Sequence, residues 1–504
     1  MKTEQDDLNR EETLDPQDWT ELRRLGHRMV DDALDYLQNV RERQVWQPIP
    51  PEARERFAEP LPLEPADAEA VYEEARRHIL PYPTGNIHPR FWGWVIGSGS
   101  PVGMLAELLT GAMNCNAWGA DQIAVEVERQ VIGWLKHGLG FVHDASGILT
   151  NGGSVSNLVG LAVARNTKAE VDMAQEGVQA LPRPMGLYAS SSTHSSVRKA
   201  VELLGLGSRA LRTIPVDSDY RIRIDLLREA IRDDRAAGRL PFCIVGNAGT
   251  VDTGAFDPLE ELAEIAQAEG LWLHVDGAFG ACAALSEKLR PLVRGMERAD
   301  SLAVDLHKWL HVQYDAGCVL VRNPHHHHAT FSSSASYLTR ARRGLSGGSL
   351  WFNEYGFELS RSFRALRVWM AFKTYGLRKH ARLIEQNVAQ AEYLAGLVTA
   401  APELELLGPV PLNIVCFRFV VEGAEEEALN RLNQDLLAAL QESGVAAPSS
   451  TMLEGKFAIR VAITNHRSRR EDFDVLVGEA IRQGWELAAA QFGPRAGSAV
   501  PMGA

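Results

Sequence analysis

Lys308 is the residue whose surroundings most clearly predict chemistry. It lies near the end of the run Ser301-Leu-Ala-Val-Asp-Leu-His-Lys-Trp-Leu310, so a short apolar strand should deliver His307 and Lys308 into a buried place. Burial disfavours the charged form of an amine and makes it a nucleophile that can form a Schiff base with an aldehyde. The structural alternative is a lysine that extends to solvent from the end of a strand.

Asp276 supports the chemical interpretation of Lys308. The run Leu271-Trp-Leu-His-Val-Asp276 is typical of a buried strand that ends in a carboxylate, and ligands of open α/β sheets bind at the carboxyl ends of strands. A Schiff-base lysine and a buried aspartate facing a protonated ring nitrogen are the pair that pyridoxal phosphate requires. Alone, Asp276 could instead cap the next helix or pair with an arginine.

A glycine turn before a predicted helix is a candidate anion site. In Gly147-Ile-Leu-Thr-Asn-Gly-Gly-Ser154 the turn exposes backbone N–H groups where the helix dipole favours an anion such as phosphate. Gly152, Gly153 and Ser154 are the candidate residues. An ordinary helix start capped by Ser154 or Ser156 is the alternative.

His194 is a candidate for stacking on a ring. It stands in Ser190-Ser-Ser-Thr-His-Ser-Ser196, after a predicted strand and at a predicted helix start. Neither capping nor core packing explains a histidine well at this position, and its flat ring could stack on a heteroaromatic cofactor. A surface histidine is the alternative.

The segment 323–348 is predicted to be a long loop, of the kind that often forms a lid. It contains four consecutive histidines, 325–328, without a cysteine or an acidic partner. These favour a solvated loop over a metal site, and no metal is predicted. Tyr337 is the residue of this loop with useful proton chemistry.

The elements that must position these residues alternate between strand and helix. This alternation predicts an α/β fold with a mostly parallel sheet covered by helices, and the candidate residues fall just after strands or at helix starts, as a shared crevice requires. The predicted strands lie at 186–190, 210–216, 242–247, 271–276, 301–304 and 316–321, and the predicted helices at 194–205, 225–237 and 258–269.

Three regions are predicted. Residues 1–87 carry helices near 19–43 and 66–80 that cannot make much of a core alone, so we expect them to clasp a second subunit. Residues 88–375 hold the large domain, ending in a helix at 357–375. Residues 376–504 form a small α+β domain with helices at 378–400, 425–443 and 470–490 and strands near 413–420 and 457–463.

Composition indicates a small-molecule partner. The 504 residues carry 52 basic and 65 acidic side chains, a formal charge of −13, which disfavours nucleic acid and anionic membranes as partners. The five scattered cysteines are typical of reduced core thiols and predict a cytoplasmic protein. No stretch approaches about 18 uninterrupted apolar residues, so no membrane span is predicted.

A glycine-rich run offers a different function. Gly97-Ser-Gly-Ser-Pro-Val-Gly103 loosely resembles a dinucleotide-binding loop, and Asp121 follows at a distance suited to a ribose contact, so a nicotinamide-dependent dehydrogenase is an alternative. Pro101 and the lack of a clean preceding strand disfavour it. The nearby aromatic residues could be core or could line a pocket for an apolar substrate; they are Phe91, Trp92, Trp94 and Trp118.

Taken together, these motifs resemble the group II pyridoxal-phosphate-dependent amino-acid decarboxylases, the family of the aromatic-L-amino-acid and glutamate enzymes. The resemblance runs from about His88 to Tyr375. It is carried by ordered motifs: His88-Pro-Arg-Phe, Leu149-Thr-Asn-Gly-Gly-Ser, His194-Ser-Ser-Val-Arg-Lys-Ala, Gly249-Thr with Gly254-Ala-Phe-Asp, His274-Val-Asp-Gly-Ala and His307-Lys-Trp.

The resemblance implies fold type I of the pyridoxal-phosphate-dependent transferases, with a seven-stranded sheet, and a homodimer whose active site lies at the interface. Lys308 would carry the cofactor as an internal aldimine, Asp276 would keep the ring nitrogen protonated, and His194 would stack on the ring. Tyr337 would protonate the carbanion left by carbon dioxide. The implied phosphate contacts are Gly153 and Ser154, and the contacts around the ring are Thr250, Ala278 and His307.

The implied activity is α-decarboxylation of an L-amino acid, and we expect an aromatic one. An aldehyde-forming decarboxylase and an aminotransferase are the alternatives. The substrate-side residues are Phe91, Trp92, Trp118, Phe279 and Arg361. The chain departs from the family at Gly97, which replaces a bulkier polar residue, and at Phe279, where the aromatic enzymes commonly have tyrosine. Asp121 would disfavour an acidic substrate if it faced the pocket.

Overall fold

The computed structural model describes residues 12–332 and 340–493. The chain begins with three helices, α1 (Trp19–Gln38), α2 (Pro51–Arg56) and α3 (Ala68–His78). Arg28 on α1 pairs with both Glu69 and Glu73 on α3, at 2.8 and 2.7 Å. Only Leu25 of α1 is buried and no residue of α3 is, so this segment has little core of its own, as expected.

The next elements connect the N-terminal segment to the large sheet. A two-residue strand, β1 (Phe91–Trp92), is followed by helices α4 (Pro101–Met113) and α5 (Ile123–Leu139). Neither β1 nor α4 was predicted. Ser100 caps α4 by accepting a hydrogen bond from the N–H of Gly103, and Pro101 occupies the first turn, so the glycine-rich run is a helix start.

A seven-stranded sheet forms the centre of the large region. Its strands are β2 (Ser146–Thr150), β3 (Met185–Ser190), β4 (Leu211–Ile214), β5 (Leu240–Asn247), β6 (Trp272–Asp276), β7 (Ser301–Asp305) and β8 (Gly317–Val321). Their order is β2-β8-β7-β6-β5-β3-β4, and only β8 runs antiparallel to its neighbours. The predicted mostly parallel α/β sheet is confirmed.

Helices cover both faces of this sheet. They are α6 (Gly153–Lys168), α7 (Ser195–Leu203), α8 (Ile224–Ala236), α9 (Leu259–Glu269), α10 (Pro324–Phe331) and α11 (Arg364–Tyr375). Short 3₁₀ helices lie at Val40–Glu42, Val178–Ala180, Ser208–Ala210, Gly280–Leu285, Arg290–Val293, Met296–Arg298 and Phe352–Glu354. The sheet strands are almost wholly buried apart from the edge strand β4, in which Arg212 and Thr213 are exposed. This burial explains the continuous apolar runs of the other strands.

The prediction of a solvated loop was wrong for the first part of 323–348, because α10 contains the four histidines. Asn323 caps this helix and Pro324 occupies its first turn. His327 is fully buried, with Nδ1 2.9 Å from Ser146 Oγ and Nε2 2.8 Å from the carbonyl oxygen of Tyr355. His327 therefore packs against the sheet, while His325 and His326 are exposed. Helix α11 begins at Arg364, later than the predicted Phe357.

The C-terminal part contains α12 (Leu377–Ala400), β9 (Leu404–Leu406), β10 (Ile414–Phe419), α13 (Glu426–Glu442), β11 (Ala447–Leu453), β12 (Lys456–Ala462) and α14 (Arg470–Phe492). Its sheet has the order β1-β11-β12-β10-β9. Alternate residues of β12 face opposite sides: Ile459 and Val461 pack in the small core, Ala458 and Ala462 against the large core. The domain boundaries at 87/88 and 375/376 stay predictions. Strand β1 lies in the predicted large domain and joins the small sheet across the second boundary.

Candidate active site

One cavity of about 500 Å³ lies at the carboxyl ends of β5, β6 and β7, beside the first turns of α6 and α7. This is the edge at which ligands of parallel sheets bind. All the residues predicted to contact the cofactor border it: Gly153, Ser154, His194, Thr250, Asp276, Ala278, His307 and Lys308.

Lys308 faces a carboxylate in this cavity. Its Nζ lies 3.0 Å from Asp305 Oδ2, with 21% of the lysine side chain and 3% of the aspartate side chain exposed. The sequence argument expected apolar neighbours and missed Asp305, although Asp305 ends β7 as Asp276 ends the adjacent strand β6. Asp305 borders the cavity, and its Oδ1 is buried without a hydrogen-bond partner among the described residues.

His307 is held in a defined orientation. Its Nδ1 accepts a hydrogen bond from the N–H of Ala316 at 3.2 Å, and its Nε2 lies 3.8 Å from Asp305 Oδ2. Its ring lies over that of Tyr314, with centroids 4.2 Å apart. Burial lowers the pKa of His307, so the neutral ring carries its proton on Nε2, towards the carboxylate.

Asp276 accepts hydrogen bonds at both oxygens. Asn157 Nδ2 donates to Oδ2 at 2.8 Å and the N–H of Ala278 donates to Oδ1 at 3.2 Å. The carboxylate is 6% exposed and opens onto the cavity. Sequence reasoning missed Asn157; the only signal was its place one turn after the glycine pair, on the same helix.

His194 borders the cavity and also caps α7, which the sequence analysis considered a poor explanation. Its Nδ1 accepts a hydrogen bond from the N–H of Ser196 at 3.2 Å and lies 2.8 Å from Ser196 Oγ. Partial removal of water lowers the pKa of His194, an effect that Asp276 opposes. The ring is thereby fixed at the cavity wall, and stacking on a cofactor stays a prediction.

The glycine pair leaves an open cradle at the start of α6. Gly152 is the N-cap residue and makes no side-chain cap bond, so the alternative of a serine cap is wrong. A Cβ on Gly153 would lie 2.8 Å from Asp305 Oδ2. The first N–H groups of a helix have no acceptor within it, and here Gly153 and Ser154, at the start of α6, border the cavity. Amine, carboxylate, flat ring and anion cradle together fit pyridoxal phosphate.

Some of the residues considered for the substrate pocket border the cavity and others do not. Phe279 borders the cavity, as does Trp94, whose ring is 57% exposed. Asp121 is exposed and does not border the cavity; its N–H donates to the carbonyl oxygen of Leu345. Gly97 packs on the lysine segment, since a Cβ there would lie 1.8 Å from the carbonyl oxygen of His307.

The other predicted aromatic residues lie away from this cavity. Trp92 stacks on Phe473 in the small core, with centroids 4.9 Å apart. Phe91 is buried beside Val45. Trp118 is half-buried with its ring edge-on to Trp351 at 4.7 Å. Tyr337 lies outside the described residues.

Arg361 is buried behind the cavity rather than in its wall. Its guanidinium donates to the carbonyl oxygens of Ala117 and Leu149, both at 2.8 Å, and to Glu128 at 2.6 Å. Glu128 in turn accepts a bond from the N–H of Leu149 at 2.9 Å. The pair therefore fixes the end of β2, which leads into the glycine cradle.

The sheet, the lysine after β7 and the aspartate at the end of β6 define a class: the pyridoxal-phosphate-dependent enzymes of fold type I. Comparison with known proteins gives the family. The family model described as "Pyridoxal-dependent decarboxylase conserved domain" matches residues 50–420. The chain belongs to this family; it is a carboxy-lyase and its cofactor is pyridoxal phosphate. The alternative of a nicotinamide-dependent dehydrogenase is therefore wrong.

Individual relatives align with nearly the whole length of this chain. An aromatic-L-amino-acid decarboxylase of Bacillus atrophaeus is 36% identical, covering 90% of this chain and 93% of the relative. A phenylacetaldehyde synthase of Arabidopsis thaliana is 29% identical, covering 93% and 97%. The crystal structure of Oryza sativa TDC with PLP and tryptamine superposes with a TM-score of 0.87 at 26% identity, covering 94% of this chain and 100% of that one.

Two features are absent from the described residues. No cluster of three or more histidine, cysteine or acidic side chains in 12–332 and 340–493 could hold a metal ion. No helix in the same ranges is long and apolar enough to cross a membrane.

Proposed function

We propose that this protein removes the α-carboxylate of an aromatic L-amino acid as carbon dioxide and releases the amine, with pyridoxal phosphate held as a Schiff base on Lys308. The observation that carries the proposal is the convergence of three groups on one cavity: the amine of Lys308, the carboxylate of Asp276 and the ring of His194. Each matches one requirement of the cofactor.

The chain's own residues have distinct roles in this proposal. Lys308 binds the aldehyde, and Asp305 holds its amine 3.0 Å away, pointing into the cavity. Asp276 keeps the ring nitrogen protonated and His194 supports the ring face. When bound, pyridoxal phosphate supplies an electron sink for the electron pair left on Cα as carbon dioxide departs. The remaining contacts are Gly153 and Ser154 for the phosphate and Thr250, Ala278 and His307 around the ring.

The aromatic substrate class has two supports. Trp94 and Phe279 present aromatic surface to the cavity, and an aromatic side chain gains both burial and ring contacts there. The Bacillus atrophaeus relative bears the name of an aromatic-L-amino-acid decarboxylase. In contrast, Asp121, Phe91, Trp92, Trp118 and Arg361 do not border this cavity, so contacts of theirs with the substrate stay predictions.

A second candidate is an aldehyde synthase, which the phenylacetaldehyde synthase relative favours. The proposed difference is the proton that Tyr337 delivers to Cα, which directs the reaction to the amine. Tyr337→Phe is therefore expected to raise aldehyde and lower amine in air-equilibrated buffer, measured by chromatography of the products. Dioxygen is the oxidant that accepts the two electrons released when the aldehyde forms and ammonia leaves. An unchanged amine yield would refute the role of Tyr337.

We further propose a homodimer with the active site at its interface, in the cytoplasm. Apolar side chains are exposed on α1, α3 and α4, and a second copy of the chain would cover them. They are Trp19, Leu22, Met29, Leu34, Val71, Leu105, Leu108, Leu109 and Met113. Analytical ultracentrifugation should give the mass of a dimer. The cytoplasmic location rests on the five free cysteines.

The activity is tested by incubating the purified protein and Lys308→Ala with single L-amino acids and measuring carbon dioxide and amine. The expected result is equal amounts of both from at least one aromatic amino acid and none from the variant. Turnover of glutamate but of no aromatic amino acid would contradict the substrate class.

A further inference from the structure

A chain of buried hydrogen bonds leads to Asp276 from beneath the cavity. Trp272 Nε1 and His274 Nδ1 each lie 2.8 Å from Ser301 Oγ, and His274 Nε2 lies 2.9 Å from Asn157 Oδ1. Asn157 Nδ2 lies 2.8 Å from Asp276 Oδ2. All five residues are buried, none more than 6% exposed, so their polar atoms depend on one another.

The two ends of the chain fix its direction. An indole N–H can only donate, so Ser301 Oγ accepts from Trp272. The hydroxyl of Ser301 donates to His274 Nδ1 because the Asp276 end places the proton of this neutral ring on Nε2 and leaves Nδ1 an acceptor. His274 then carries its proton on Nε2 and donates to Asn157 Oδ1. This leaves Asn157 Nδ2 facing Asp276, and an ionised carboxylate can only accept. Reversing any link would place two donors or two acceptors together. Burial lowers the pKa of His274 to about 4, so this ring is neutral at neutral pH.

The same amide also reaches His194. Asn157 Nδ2 lies 3.0 Å from Ser196 Oγ, which lies 2.8 Å from His194 Nδ1. Ser196 Oγ accepts from Asn157, and its hydroxyl donates to His194 because Nδ1 of that ring is an acceptor. The N–H of Ser196 donates to the same ring nitrogen at 3.2 Å. His194 Nδ1 is thus an acceptor, and its proton lies on Nε2, across the ring.

A glycine makes this arrangement possible. Gly160 lies one turn after Asn157 on α6, and a Cβ there would be 2.7 Å from His274 Cε1 and 3.2 Å from Ser301 Oγ. Without a side chain at 160, α6 approaches β6 closely enough for Asn157 to bond His274 and Asp276 at once.

We propose that Asn157 is a positioning residue for the cofactor: it orients Asp276 towards the ring nitrogen and, through Ser196, holds His194 with its proton on Nε2. The proposal rests on the roles of Asp276 and His194 given under the proposed function. In this proposal Asn157 acts through Asp276 and His194 and does not itself contact the amine of Lys308 or the substrate. Its effect is to keep two separate cofactor contacts in one fixed arrangement, which lowers the reorganisation needed when the cofactor binds.

The hydrogen-bond directions are tested in the protein without cofactor. Histidine labelled with ¹⁵N, with signals assigned through His194→Gln and His274→Gln, reports which ring nitrogen carries the proton. Both rings are expected to be neutral at pH 7 with the proton on Nε2. A proton on Nδ1 of either ring would overturn the proposal.

The positioning role is tested by Asn157→Asp, with the dissociation constant of pyridoxal phosphate measured by titration of the apoprotein. A second carboxylate beside Asp276 makes the two share a proton, so Asp276 is no longer fully charged. The dissociation constant should rise by roughly tenfold or more. Asn157→Ser, which adds no charge, should weaken binding in the same direction and serves if the first variant fails to fold.

Asn433→Asp is the matched control. Asn433 is also fully buried and donates to two backbone carbonyls, but in the small core away from the cavity. It should leave cofactor affinity unchanged, and equal affinity in the 157 and 433 variants would overturn the role of Asn157. If the unaltered protein binds no pyridoxal phosphate, the proposed function fails, while the ring protonation of the apoprotein still decides the hydrogen-bond chain.

Discussion

Replacing Arg361 with methionine tests whether this residue supports the site from behind or binds the substrate. The Arg361 and Glu128 side chains are 0% and 1% exposed. The Arg361 guanidinium donates hydrogen bonds to the carbonyl oxygens of Ala117 and Leu149 and to the carboxylate of Glu128. Arg361→Met would leave Glu128 charged and buried with a single N–H donor, that of Leu149.

The expected loss in the free energy of unfolding is about 3–5 kcal/mol, the usual cost of removing one partner of a buried ion pair. Arg361→Met with Glu128→Gln removes the uncompensated charge and keeps an acceptor for Leu149, so the double variant should recover most of that loss. About 1–2 kcal/mol should remain for the carbonyl oxygens that lose a donor. Denaturant unfolding followed by tryptophan fluorescence gives both values.

Kinetics of the double variant separate the two roles. A supporting arginine predicts a KM close to that of the unaltered protein once the fold is restored, whereas a substrate contact predicts a raised KM in a stable protein. The reasoning would be refuted by a single variant that loses less than about 1 kcal/mol, or by a double variant no more stable than the single one.

Three further changes test other parts of the account. Asp305→Asn removes the carboxylate that orients the lysine amine and should lower kcat/KM by roughly tenfold to a hundredfold; an unchanged value would exclude that role. Gly97→Ala places a Cβ 1.8 Å from a backbone carbonyl oxygen and should cost about 1–3 kcal/mol in unfolding, whereas Gly111→Ala, with nothing within 4 Å, should not destabilise. Burial lowers the pKa of His380 from 6.5 to about 4. Between these pH values the unfolded chain therefore binds a proton at His380 that the folded chain does not bind. The free energy of unfolding should fall as the pH drops from 6.5 towards 4, by up to ~1.4 kcal/mol per pH unit for this residue. His380→Phe should reduce the slope by the share of this residue, while other buried histidines whose pKa burial also lowers, among them His88 and His466, keep theirs. The exposed His143→Gln should leave the slope unchanged.

The sequence predicted the parts of the site that depend on strand ends. Asp276 and Lys308 follow apolar runs long enough to identify β6 and β7, and parallel strands bring their carboxyl ends to one edge. Strand β2 was missed because Gly147-Ile-Leu-Thr150 is short and leads directly into a glycine turn. Likewise, α10 was missed because its histidines lack an apolar period, although Asn323 and Pro324 are a typical helix start.

Residues that act through contacts between distant segments could not be predicted. The proposed role of Asn157 depends on Gly160, which lets α6 approach β6. Asp305 is only three positions before Lys308, and it was missed because the strand pattern does not show that the chain turns and brings the two side chains together. The resemblance placed Arg361 near the active site, but nearness in a family does not distinguish a residue in the cavity wall from one behind it. Its partner, Glu128, is 233 positions away in the sequence and becomes evident only from the folded structure.

The central claim is that Lys308 holds the cofactor, and the visible absorption spectrum tests it most directly. The protein should show a visible band that borohydride abolishes, with the reduced cofactor recovered by mass spectrometry on the peptide that contains Lys308, and Lys308→Ala should lack that band. A band that survives reduction, a cofactor attached to another lysine, or no band after addition of pyridoxal phosphate would contradict the account.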